Sequence, residues 1–195
     1  IKSCEHCQRT DLKLHYIGLR STYYCDECFE ILDKLDNVFD KKFKEIAKEV
    51  NAYLMADIAH ISGLIASGLM NNPFEYCDIV TSTTHKTLRG PRAGIIFSKV
   101  DERDLKSKID FAVFPSCQGG PHNNVIAAIC TQMKEVASNE FREYSKQTIL
   151  NCQALIKSLI SKGYKIATGG SDNHLFLLDV RPLKLTGNKV EKVSD

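Results

Sequence analysis

One short stretch constrains this 195-residue chain more than any other. Asp78-Ile79-Val80-Thr81 is a β-branched run that reads as a buried strand, continuing through Ser82, Thr83, Thr84 and His85 to Lys86, then breaking at Gly90-Pro91. The strand predicts a sheet, and the break places the lysine at its end. A strongly hydrated ammonium is unusual at such a place. The useful chemistry for an amine held there is attack on a carbonyl, giving a Schiff base. The plain alternative is a loop lysine with its head in water.

Ala52-Tyr53-Leu54-Met55-Ala56-Asp57 is a second apolar run ending in a functional group, here a carboxylate. Two neighbouring parallel strands bring Asp57 and Lys86 to one carboxyl edge, where open α/β sheets bind ligands. A lysine opposite an aspartate is the pairing that pyridoxal phosphate requires. The amine holds the aldehyde, and the carboxylate keeps the pyridine nitrogen protonated so that the ring accepts electrons. Asp57 also has a plain alternative as a helix N-cap.

Four blocks carry a more specific signal. They are Ala56-Asp57-Ile58-Ala59-His60-Ile61-Ser62-Gly63-Leu64-Ile65-Ala66, Thr83-Thr84-His85-Lys86-Thr87-Leu88-Arg89-Gly90, Phe114-Pro115-Ser116-Cys117-Gln118-Gly119-Gly120-Pro121-His122-Asn123, and Gly169-Gly170-Ser171-Asp172-Asn173-His174-Leu175. In their order and separations they resemble serine hydroxymethyltransferase, over about residues 39 to 195. The resemblance implies the fold-type I, aspartate aminotransferase-like fold of the pyridoxal enzymes, its large domain incomplete here. It also implies pyridoxal 5'-phosphate on Lys86, tetrahydrofolate as one-carbon acceptor, serine and glycine as substrates, and a homodimer or homotetramer.

Residue by residue, the resemblance assigns Lys86, Asp57 and His60 to catalysis. His60 is expected beside the cofactor ring, facing the ring hydroxyl or the substrate carboxylate, and Thr83 is expected to touch the cofactor. Gly119 and Gly120 let backbone amides approach a phosphate, in the family that of the neighbouring subunit; a plain turn is the alternative. Arg92 is a candidate for neutralising phosphate or carboxylate charge, or a solvated loop arginine. His85 precedes Lys86, and on an extended strand it points to the opposite face, in a supporting role.

Residues 1 to about 38 depart from the family. Cys4-Glu5-His6-Cys7 is followed after seventeen residues by Cys25-Asp26-Glu27-Cys28. Two such knuckles match a four-thiolate zinc site made by Cys4, Cys7, Cys25 and Cys28, with His6 and His15 as spare ligands. Disulfides and free thiols are the alternatives, the former at odds with the scattered single cysteines elsewhere. The expected domains are a zinc-ribbon-like module over 1–37, part of a large cofactor-binding domain over 38–180, and the start of a smaller domain over 181–195. The chain begins at Ile1 and ends in a helical run, Asn188 to Val193, without a stop signal, so it reads as an internal fragment, inactive alone. The competing functional reading is a zinc-binding interaction module joined to an inactive enzyme remnant.

A net charge of +2 gives no reason to invoke nucleic acid, and no apolar run reaches the roughly 18 residues of a membrane span. A cytoplasmic protein is expected, with a mitochondrial form left open. Elements alternate after the cysteine module, which predicts an α/β domain with a mostly parallel sheet. Phe43, Ile46, Ala47 and Val50 mark an amphipathic helix. Strands are expected at 53–57, 78–83, 93–98, 164–168 and 175–180, and helices at 58–70, around 125–133, and at 141–160.

Overall fold

The computed structural model describes residues 14–17, 22–25, 41–99 and 104–194. They fall into two units, one drawn from Lys34–Ser145 and the other from Ile1–Asp33 with Lys146–Asp195.

The first unit opens on a helix, α1, described over residues 41–49. Asn51 ends it in a left-handed conformation (φ 51°), the Asn51 amide bonding to Lys48 and the Ala52 amide to Ala47. This is a Schellman stop made with asparagine in place of glycine. Of the predicted apolar stripe only Ala47 is buried; Phe43, Ile46 and Val50 are exposed. Asp78, at the mouth of the next strand, accepts bonds from Lys44 Nζ and the Leu54 amide, tying α1 to the sheet.

Three strands follow in the order β3-β4-β5 (the pair β1 and β2 belongs to the other unit). β3 (Met55–Asp57) runs parallel to β4 (Ile79–Thr83), with Asp57 opposite Thr81. β5 (Gly94–Ser98) runs antiparallel to β4, with Thr83 opposite Gly94. The predicted strands are present, but the parallel order stops at β4. A parallel crossover needs a dozen or more residues, and the connection over 84–93 is shorter, so the chain turns back. Inward-facing Val80 joins Ile58 and Cys77 in a core to which Leu54, Ala56, Ile61 and Ile65 add.

The helix predicted over 58–70 shrinks to α2 (Ser62–Ala66). Gly63 lies within it and Gly68 follows at φ 67°, so local propensity is weak. α3 (Leu105–Phe111) leads through a kinked turn, Ala112–Cys117, into the Gln118-Gly119-Gly120 loop. α4 (Asn123–Val136) and α5 (Asn139–Ser161) match their predicted helices. The Ser138 hydroxyl caps α5 by accepting the Phe141 amide. Leu88, Val136 and Phe141, with Met133, form a second core under the loop that carries Lys86.

In the second unit, β1 (Leu14–Ile17) and β2 (Thr22–Cys25) form an antiparallel hairpin, Leu14 opposite Cys25. The C-terminal half of α5 contributes Cys152 and Ile156 to a core with Ile166, flanked by Leu159, Phe176 and Leu178. β6 (Lys165–Ile166) and β7 (Leu178–Asp179) pair antiparallel, each shorter than expected. The last helix, α6, is Gly187–Ser194. The described residues are thus mixed α and β.

Candidate active site

Asp57 ends β3 at the carboxyl edge of the parallel pair. Its Oδ1 accepts the Ala59 amide at 3.0 Å, so the N-cap-like role of a post-strand aspartate is present. Oδ2 has no hydrogen-bond partner among the described residues, which leaves one carboxylate oxygen for another donor. The Ile58 amide continues the parallel ladder to Thr81 O, and Thr83 Oγ1 donates to Ala59 O at 3.4 Å. His60 is thereby held in the turn directly beyond the strand.

β4 ends at Thr83, three residues before Lys86. The lysine sits in a turn, not on the strand, closed by Arg89 N donating to Lys86 O and by Gly90 N donating to Thr84 O. The Thr84 hydroxyl donates to Ala93 O at 3.3 Å and also bonds Pro91 O. Gln132 of α4 donates from Nε2 to Leu88 O at 2.6 Å. Lys86 is exposed, and its Nζ lies 3.0 Å from His60 Nε2. That geometry lets the imidazole accept a proton from the amine in the tautomer protonated at Nδ1.

Asp57, His60, Thr83 and Lys86 therefore stand at one sheet corner. Asp57 and Lys86 share it without an ion pair among the described residues; the lysine's neighbour is His60. The alternating-face argument for His85 does not hold, because His85 belongs to the turn. Its Nδ1 is buried and lacks a hydrogen-bond partner among the described residues, which is costly unless something else meets it.

Arg92, Gly119 and Gly120 line an open cavity of about 1250 Å³ with His122 and the apolar side chains of Ile96 and Phe114. A Cβ added at Gly119 or Gly120 meets nothing within 4 Å, so packing inside this chain does not explain either glycine. Two residues escaped the sequence reading. Thr87 Oγ1 donates to His60 O and accepts the Gly63 amide, each at 3.0 Å, and Gly63 has no room for a side chain. Both stand inside the quoted blocks, but only the fold shows that they touch.

The predicted zinc ligands Cys4, Cys7 and Cys28 lie outside the described residues, and Cys25 is the last residue of β2. Among the described residues no cluster of three or more histidine, cysteine or acidic side chains is placed to hold a metal. No described helix is long and apolar enough to cross a membrane.

The sequence model of the serine hydroxymethyltransferase family matches residues 36–195. The chain belongs to the serine hydroxymethyltransferase family. It is 57% identical to a serine hydroxymethyltransferase of Bombyx mori over 164 residues, which is 78% of this chain and 35% of that protein. It is 50% identical over 157 residues to serine hydroxymethyltransferase 3, chloroplastic, of Arabidopsis thaliana, covering 79% of this chain and 30% of the relative. A cytosolic serine hydroxymethyltransferase of Oryctolagus cuniculus is 50% identical over 164 residues, 78% of this chain and 34% of its own length. The chain spans about a third of the length of the curated relatives it matches. Family membership implies the fold-type I pyridoxal-enzyme fold, and the donor set at this corner fits that cofactor. An exposed amine, a carboxylate with one oxygen unpartnered, and a hydroxyl converge on one edge.

Proposed function

We propose that this chain is the lysine-bearing segment of an enzyme that moves a one-carbon unit between serine and glycine, with tetrahydrofolate as acceptor. The observation that carries this reading is the Lys86–His60 pair beside Asp57 at the carboxyl ends of two parallel strands. Pyridoxal phosphate, when bound, supplies an aldehyde for an amine and a ring that draws electrons from the substrate. Lys86 offers the amine, and His60 Nε2 takes up its proton. Asp57 holds the proton on the ring nitrogen, and Thr83 presents its hydroxyl to the same corner.

Gly119, Gly120 and Arg92 suit a phosphate or carboxylate. No packing among the described residues accounts for Gly119 or Gly120, which supports a homodimer or homotetramer in which this loop serves a neighbouring subunit. In this reading residues 38–180 are part of the large domain and 181–195 begin the smaller one. Cys117, Cys130 and Cys152 are free thiols among the described residues, which supports a reducing compartment, the cytoplasm.

Borohydride reduction after mixing with pyridoxal phosphate, followed by peptide mapping, is expected to place the label on Lys86. Lys86→Ala should remove it. In a chain carrying the family's remaining segments, Asp57→Asn should still admit the cofactor but lower turnover steeply. A label on Lys99, or near-normal turnover in Asp57→Asn, refutes the assignment. The present chain alone should hold the cofactor weakly; complete absence of its absorbance band at saturating cofactor favours the inactive-remnant reading.

The β1–β2 hairpin supports a second function for residues 1–37. It places Cys25 opposite Leu14 in the backbone register, and in sequence the spacing of Cys4, Cys7, Cys25 and Cys28 is that of a four-thiolate zinc site. Metal analysis should find about one equivalent, lost in Cys25→Ser. Zinc content unchanged by that substitution removes Cys25 from the ligand set.

A further inference from the structure

Nothing in the sheet ladder fixes Lys86, since β4 ends at Thr83 and β5 begins at Gly94. Its turn must be located by other means. Thr87 is the next residue, and its hydroxyl spends both of its capacities on one distant segment. It donates to the carbonyl of His60 and accepts the amide of Gly63, 27 and 24 residues away. The Gly63 bond also answers a local need. The first amides of a helix lack intrahelical acceptors, and the N-cap residue of α2, Ile61, offers no side-chain acceptor. Thr87 caps α2 from outside.

The two segments touch main chain to main chain at this point. A Cβ placed on Gly63 comes to 2.3 Å from the Thr87 carbonyl oxygen, a distance at which something must move. His60 carries the carbonyl that Thr87 binds, and Lys86 is the neighbour of Thr87. The clamp therefore joins the residues whose side chains meet at Nζ and Nε2.

We propose that Thr87 is a positioning residue whose two-sided hydroxyl clamp sets Lys86 Nζ against His60 Nε2. The inference rests on the reading of Lys86 as the carbonyl-reacting amine. Release of the clamp leaves the ends of the loop held in the β4–β5 ladder but unties its Lys86-Thr87 segment from His60 and Gly63, so that Nζ loses its set distance from His60 Nε2. An amine displaced by about 1 Å from its reactive position reacts many times more slowly.

The test is pyridoxal phosphate with borohydride trapping on the purified protein. The initial labelling rate of Lys86 is read by peptide mapping against that of Lys106, an exposed lysine of α3 in the same molecule. The ratio is read on samples whose near-UV circular dichroism matches the parent, because unfolded chain labels both lysines alike and pulls the ratio towards one. Thr87→Val keeps the shape and removes both bonds; the Lys86 to Lys106 ratio should fall about ten- to a hundredfold. Thr87→Ser retains donor and acceptor, and should restore the ratio to within about threefold of the parent, a rescue that lost packing alone does not give. Gly63→Ala leaves the hydroxyl in place but forces the two chains apart, and should lower the same ratio. It serves as the second arm if Thr87→Val does not fold.

A folded Thr87→Val or Gly63→Ala protein that labels Lys86 as the parent does overturns the clamp, as does failure of Thr87→Ser to rescue. If the parent itself shows no preference for Lys86, it is the assignment of Lys86 that fails, and the two failures are told apart by the parent alone.

Discussion

Replacing Gln132 with leucine tests how the lysine turn is fastened to α4. Gln132 is 9% exposed, and its Nε2 donates to Leu88 O at 2.6 Å, two residues beyond Lys86. Leucine fills a similar volume and has nearly the same helix propensity, so neither shape nor propensity should dominate the change. What remains is a main-chain carbonyl next to buried Leu88 with its donor removed. Leaving a buried acceptor unmet costs about 1–3 kcal/mol. We expect about 2 kcal/mol, roughly a thirtyfold fall in the folded to unfolded ratio. With a guanidinium slope of about 4 kcal/mol per M, the unfolding midpoint drops by about 0.5 M. Gln147→Leu is the matched control. Gln147 also donates from Nε2, to Asn151 Oδ1 at 2.8 Å, but on an exposed face where water replaces the lost partner. That change should stay within about 0.5 kcal/mol. Equal midpoints for the two variants in denaturant titration would refute the argument that burial of the Leu88 carbonyl sets the cost.

Phe141→Ala should destabilise the first unit by about 3–5 kcal/mol, because a ring only 2% exposed and packed on Leu88 and Val136 leaves a cavity; thermal or denaturant unfolding checks it. Burial pushes the Asp78 carboxyl up, but the Leu54 amide and the Lys44 and Lys99 ammonium groups outweigh it and hold it below the ordinary aspartate value of 3.8. Its stabilising contribution is therefore complete above that value and lost as pH falls through the lower folded value, and Asp78→Asn should flatten this acid limb in stability–pH curves. Burial pushes the Cys152 thiol up against a smaller opposing effect of the Ser171 hydroxyl, and Cys77 is also buried, whereas Cys117 and Cys130 are exposed. Timed iodoacetamide labelling read by mass spectrometry should modify Cys117 and Cys130 first, with Cys77 and Cys152 reacting only on unfolding.

What could be read without coordinates was whatever depends on neighbours in sequence. The β-branched run at Ile79 and Val80 and the periodic apolar positions of α4 and α5 give their elements directly. The convergence of Asp57 and Lys86 on one edge followed from two strand ends and one assumption, that the strands run parallel, which holds for β3 and β4. Failures arose where a distant contact decides. The close approach of Gly63 to the Thr87 backbone is one such contact, and no window around residue 63 reveals it. The bonds from Thr84 and Gln132 that pin the ten-residue loop before β5 are likewise invisible in sequence. His85 lost its predicted facing because β4 stops at Thr83, three residues short of Lys86.

The loop that carries Lys86 leaves β4 and returns as β5, and those two strands are hydrogen-bonded to each other along their whole length, from Ile79 opposite Ser98 to Thr83 opposite Gly94. Both ends of the loop are thus anchored in one ladder, and its middle is stitched to its own base through Thr84 and Gly90. Swinging such a loop as a lid requires unzipping the ladder or breaking the stitches. Motion at this corner consequently belongs to the side chain of Lys86, whose four methylenes reorient in picoseconds to nanoseconds while the backbone stays put. An amine that must first form and then surrender a bond to an incoming molecule can do so by rotamer exchange alone. In native-state hydrogen exchange, the amides of Thr84 and Gly90 should open together with those of β4, as one cooperative block.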